Sequence, residues 1–146
     1  MINRIVLAAA IAALGITTVL AQSDPIAARK AMMKANGQAA GQGGKFVKGE
    51  EPFDLAKAKA IFATYEKAAA DFGKLFPDNS KTGGETAALP AIWENKADFD
   101  AKLVKFGADA KAAAAKVTDE ASFKAAFPDV QKNCGGCHNT YRKKAS

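Results

Sequence analysis

Cys134-Gly135-Gly136-Cys137-His138, a C-x-x-C-H run near the carboxyl end, decides how the rest of the chain is read. It is the attachment pattern of c-type haem, and the chemistry requires that spacing. Two thiols add to the two vinyl groups on one edge of the porphyrin. The imidazole directly after the second thiol then reaches the iron as an axial ligand. On a helix, Cys134 and Cys137 share a face and His138 lies next to it.

The chain has two cysteines and one histidine, and this run uses all of them. A tetrahedral zinc site would need four ligands, and no second cluster supplies the others. A thioredoxin-like C-x-x-C would open a helix after a strand, whereas a helical pattern without strands precedes this one.

Working back from the motif, Phe123, Phe127, Val130, Cys134, Cys137 and Tyr141 are spaced by four and three. That spacing predicts a last helix with its cysteines on the core face. Thr118 is the expected cap, with Asp119 and Glu120 placed favourably in the first turn. Pro128 is expected to kink or divide this helix. A third helical region begins at Pro90, with its stripe at Trp93, Phe99, Leu103, Phe106, Ala110, Ala113 and Val117. Residues 78–89, rich in Gly, Thr, Ser and Asn, read as the one long loop. A second helix, capped by Asp54, carries Ala58, Ile61, Phe62, Tyr65, Ala69 and Phe72 and ends at Phe76-Pro77.

The first helix starts at Ser23 or Asp24, with Pro25 where a missing N–H costs nothing. Ile26, Met33, Gly37, Ala40, Gly44 and Val47 follow a seven-residue repeat. Gly37, Gly41, Gly43 and Gly44 each cost about 1 kcal/mol against alanine, so the helix is expected to fray or end near Gly41 unless packing holds it. The fold class is therefore all-α: an antiparallel four-helix bundle with the haem in its core near the carboxyl-terminal helix.

The amino end reads as a signal peptide over residues 1–21. Arg4 precedes an apolar run, and Val19-Leu20-Ala21 resembles a cleavage site. Removal leaves residues 22–146 as one domain, implies export to the periplasm and leaves no stable membrane anchor. Arg4 leaves with the signal, so the formal charge falls from +6 to +5. Lysines around a haem edge would steer such a protein toward an acidic redox partner. Aromatic–basic interleaving is missing, which argues against nucleic acid.

Together these features resemble the cytochrome c′ superfamily, which includes the cytochrome c-556 type. The resemblance rests on Arg29-Lys30-Ala31-Met32-Met33, Leu89-Pro90-Ala91-Ile92-Trp93 and the terminal motif followed by Tyr141-Arg142-Lys143. It implies one covalent haem c, with thioethers from Cys134 and Cys137 and His138 as proximal ligand. It places Arg29 near a haem propionate, Met33 on the distal side of the iron and Arg142 near the proximal imidazole. It also suggests Phe76 as part of the distal wall.

The resemblance covers both electron carriers and gas-binding proteins. After His138 no methionine or histidine follows, and cleavage removes Met1. Met32 and Met33 are then the only thioethers, and only Met33 shares a face with Arg29 and Ile26. Methionine ligation favours electron transfer. The alternative is a five-coordinate, high-spin cytochrome c′ that binds NO or CO. An enzyme is not expected, since a second histidine for distal acid–base chemistry is missing. Monomer and homodimer both remain open.

Overall fold

The computed structural model describes residues 24–144, and the expected signal peptide lies outside them. Helix α1 spans Pro25–Lys48, α2 Leu55–Asp71, α3 Ala91–Glu94, α4 Lys96–Lys116 and α5 Glu120–Tyr141. Two 3₁₀ turns, Phe72–Leu75 and Asp78–Ser80, follow α2. The four long helices pack in a ring: α1 on α2, α2 on α4, α4 on α5 and α5 on α1. The short links between α1 and α2 and between α4 and α5 make those neighbours antiparallel. The architecture is the expected all-α four-helix bundle. Among the described residues the only β feature is an isolated antiparallel bridge between Ala88 and Arg142.

Caps fix the helix starts. The Asp24 carboxylate accepts from the Ile26 N–H at 2.9 Å, and that of Asp54 accepts from the Lys57 N–H at 2.9 Å. At α5 the cap is Asp119 and not the expected Thr118. Its carboxylate accepts from the Ser122 N–H at 2.8 Å while the Asp119 N–H donates to the Ser122 hydroxyl at 3.0 Å. This reciprocal box satisfies two orphan donors, which a single threonine cap would not.

Helix α1 does not end near Gly41. It continues to Lys48 and stops at Gly49, whose φ of 72° is the left-handed conformation that closes a helix. Packing holds the glycine-rich stretch together. A Cβ built on Gly43 would lie 2.3 Å from the Phe127 ring, so the missing side chain is what lets α5 approach α1. The buried residues of α1 are Ile26, Arg29, Gly43 and Phe46. Of the expected seven-residue stripe, Ile26, Met33, Gly37 and Ala40 line a cavity instead of solid core.

The third helical region is split. Asn95, at φ −124° and ψ 49°, separates α3 from α4. The Trp93 indole N–H donates to the Phe76 carbonyl at 2.9 Å and fixes α3 against the end of α2. Pro128 does not divide α5, which runs unbroken from Glu120 to Tyr141. It sits on the exposed face, as does Lys124 one turn before, so water can satisfy the Lys124 carbonyl left without its donor.

Two apolar clusters result. The larger joins Phe46, Phe62, Tyr65, Val117, Phe123 and Phe127 at one end of the bundle. The smaller gathers Phe76, Ile92, Phe99, Leu103 and Tyr141, with Cys137 packed against it.

Candidate haem site

A cavity of about 450 Å³ opens beside the smaller cluster, bounded by α1, the end of α2, α4 and α5. That is within the range of about 300–1,000 Å³ usual for small-molecule sites. Arg29, Met33, Phe76, Cys134, Cys137, His138 and Arg142 all line it. The structure thus brings every residue singled out in the sequence to one place, from segments at opposite ends of the chain.

Arg29 is 5% exposed, and its Nη2 donates to the Ser80 carbonyl at 2.8 Å. Its Cζ lies 4.6 Å from the centre of the Phe76 ring and 5.8 Å from that of Trp93. Burial pushes the guanidinium pKa below its ordinary value, and the Asp24 carboxylate pulls it back part of the way. Nε and Nη1 are buried without a partner. Leaving such donors unpaired costs about 1–3 kcal/mol each, so the site calls for a carboxylate or a similar planar anion.

The thiols are half-buried, and burial raises both pKa values, with Lys102 pulling Cys137 back. Burial thus favours the neutral S–H form of each. Cys134 Sγ donates to Gln131 Oε1 at 3.3 Å, and Gln131 Nε2 donates to the Tyr65 hydroxyl at 2.7 Å. The His138 pKa is lowered, first by burial and then by the positive charge of Arg142. A neutral imidazole keeps the lone pair that a metal needs. Among the described residues, no three His, Cys, Asp or Glu gather as they would around a bare metal ion. Instead two thiols and an imidazole share a largely apolar cavity with a buried arginine short of acceptors. Haem, an apolar disc with two vinyls, an iron and two carboxylates, fits that donor set.

The end of α5 is pinned from outside. The Leu89 N–H donates to the Tyr141 carbonyl at 3.0 Å, and the Lys143 N–H donates to the Ala87 carbonyl at 2.8 Å. Arg142 is exposed and stands at the cavity wall beside Ala88. Tyr141 is buried, as its place in the stripe of α5 suggests. Its hydroxyl donates to the Asp98 carboxylate, which pushes the phenol pKa up to about 12.

Two lining residues, Gln131 and Asn36, and one partner of Arg29, Ser80, carry no sequence signal that the motif supplies. Gln131 was within reach, since it precedes Cys134 by one turn. Asn36, one turn beyond Met33, has a buried carbonyl oxygen without a partner. Ser80 contributes only a backbone carbonyl, which leaves no side-chain signal.

The cytochrome c′ family model matches residues 24–142. A cytochrome c′ of Rhodopseudomonas palustris is 43% identical over 98% of this chain and 98% of its own. A cytochrome c-556 of Agrobacterium fabrum is 45% identical over 80% of this chain and 79% of its own. The solved cytochrome c′ from Rhodopseudomonas palustris superposes with a TM-score of 0.82 at 45% identity, covering 86% of this chain and all of that one. With the thiols, imidazole and arginine gathered at one cavity, the conclusion is that the chain belongs to the cytochrome c′ family, whose members bind one covalent haem c.

Proposed function

We propose that this protein is an exported, periplasmic electron carrier. The observation that carries the reading is that Met33 of α1 and His138 of α5 line the same cavity. Bound haem supplies a one-electron couple. Cys134 and Cys137 would hold its edge as thioethers, and His138 would offer its neutral imidazole to the iron. Arg29 neutralises a propionate through its unpaired N–H groups, and Phe76 holds the guanidinium in place from the other side. Met33, on the wall of the same cavity, would offer its thioether to the iron, which would raise the potential and disfavour an exogenous ligand. Arg142 sits by the proximal imidazole and disfavours its protonation. The charged start and apolar run of residues 1–21 support export, and partners with acidic surfaces suit the net positive charge.

Absorption spectra of Met33→Ala beside wild type, reduced, with and without carbon monoxide, test the reading. A low-spin wild type that becomes high-spin and binds carbon monoxide on substitution supports it. A wild type already high-spin and unaffected by the substitution defeats it and promotes the second reading, a gas-binding protein. One observation favours that alternative: Gly37 and Ala40, further along the wall from Met33, present little bulk to the cavity.

A further inference from the structure

A second concavity, about 890 Å³, runs along the outside of the bundle between α4 and α5. Its floor is made of small side chains such as Ala113, Ala126 and Val130. Lys102, Asn133 and Cys137 line both this groove and the inner cavity, so a wall one residue thick separates the two. On that wall Gly136 is exposed in mid-helix. A Cβ at Gly136 would meet nothing within 4 Å, in contrast to Gly43, where the fold demands a glycine. Glycine there costs about 1 kcal/mol against alanine, and no other side chain or segment among the described residues packs against it. What it does is leave bare backbone facing out beside Cys137.

The rim is basic. Lys102, Lys105, Lys116 and Lys132 stand with two carboxylates, Asp109 and Asp129, and Lys102 also lies 3.6 Å from the Asp98 carboxylate outside the groove. That leaves Lys116 without an ion pair among the described residues. Lys105 pairs with Asp109 at 2.5 Å and Lys132 with Asp129 at 2.6 Å, both pairs on the surface and weak enough for outside carboxylates to compete. We propose that this α4–α5 groove is the docking surface for a redox protein with an acidic patch, with Gly136 admitting its surface to the Cys137 side of the haem. The proposal rests on the electron-carrier reading and names where its partner binds.

The test uses the holoprotein. Amide NMR is followed on titration with a short poly-glutamate peptide, with vesicles containing phosphatidylglycerol, and with increasing concentration of the protein alone. The peptide is expected to shift amides along α4 and α5 around Lys116, Lys132 and Gly136, and Lys116→Glu/Lys132→Glu to abolish the shifts. Shifts centred elsewhere, or this face responding to vesicles or self-association instead, overturn the proposal. Oxidation of the reduced protein is then timed by stopped flow. Hexacyanoferrate(III) takes one electron, leaving oxidised protein and hexacyanoferrate(II). At low ionic strength the double variant should slow this reaction about five-fold or more, while Lys57→Glu/Lys59→Glu on α2, which touches neither cavity, changes it far less. Equal effects from both pairs overturn the groove. Gly136→Gln should slow the reaction even in high salt, where charge is screened, and an unchanged rate overturns the role given to the bare backbone. A high-spin wild-type spectrum would defeat the carrier reading without touching the peptide map, so the two failures are distinguishable.

Discussion

Arg29 and Phe76 are stacked, cation over ring, with the guanidinium carbon 4.6 Å from the ring centre. The Ser80 carbonyl takes one N–H from the side, and two further nitrogens remain unpaired and buried. The ring and the carbonyl fix the guanidinium plane before any ligand arrives. A point charge of the same sign would not be held in that way.

Arg29→Lys should therefore destabilise the holoprotein by about 1–3 kcal/mol although the charge is retained. Arg29→Met should cost more, and both should still carry haem by mass. Urea unfolding followed at the haem absorption band measures the loss. A lysine variant as stable as wild type would show that no carboxylate is bound by the fork.

Mass spectrometry of the mature protein should show one haem retained through acid-acetone extraction. Cys134→Ser/Cys137→Ser should lose that mass. Wild type that emerges from a haem-maturing host folded, with both thiols free, would contradict the attachment assigned to them.

Gly43→Ala places a methyl 2.3 Å from the Phe127 ring, so α1 and α5 must part or the ring must move. Overpacking of this kind costs about 1–3 kcal/mol. Combining it with Phe127→Leu should recover part of the loss, giving a favourable coupling in a double-mutant cycle. Strictly additive effects in thermal melts would mean that the two residues do not meet.

The Asp119 carboxyl is held below its ordinary value, first by the Ser122 N–H and then by the Ser122 hydroxyl. A depressed carboxylate contributes stability above its unfolded pKa, about 3.9, and loses it as pH falls through the lower folded value. Asp119→Asn keeps a capping side chain without the charge. Its melting temperature should be below that of wild type near neutrality and converge with it in acid. Parallel curves across that range would rule out the linkage.

The C-x-x-C-H run and the stripes of α2, α4 and α5 were legible because each is a local pattern that the bundle simply buries. The end of α1 was not, since local propensity argues against a run through Gly41, Gly43 and Gly44. What decides it is Phe127, far away in sequence. The α5 cap was misread for a smaller reason: Ser122 returns a hydrogen bond, and that reciprocity favours Asp119 over its neighbour Thr118. Of the outcomes expected at Pro128, division of α5 does not occur, because the carbonyl left without its donor is on the exposed face and meets water. At the site, motif residues could be read directly, whereas the Ser80 carbonyl and the Asp98–Tyr141 bond depend on chain segments meeting in space.

The pair of backbone bonds joining residues 87–89 to 141–143 also bears on the order of folding. They close a long loop, and the entropy of that closure must be met before the contact returns anything. Helices α1, α2 and α4 form from local turns, whereas this seam waits for the final turn of α5. Loop-closure entropy thus argues against an early seam, so the clamp on the last turn of α5, next to the thiols and the imidazole, depends on the bundle already having brought the two segments together.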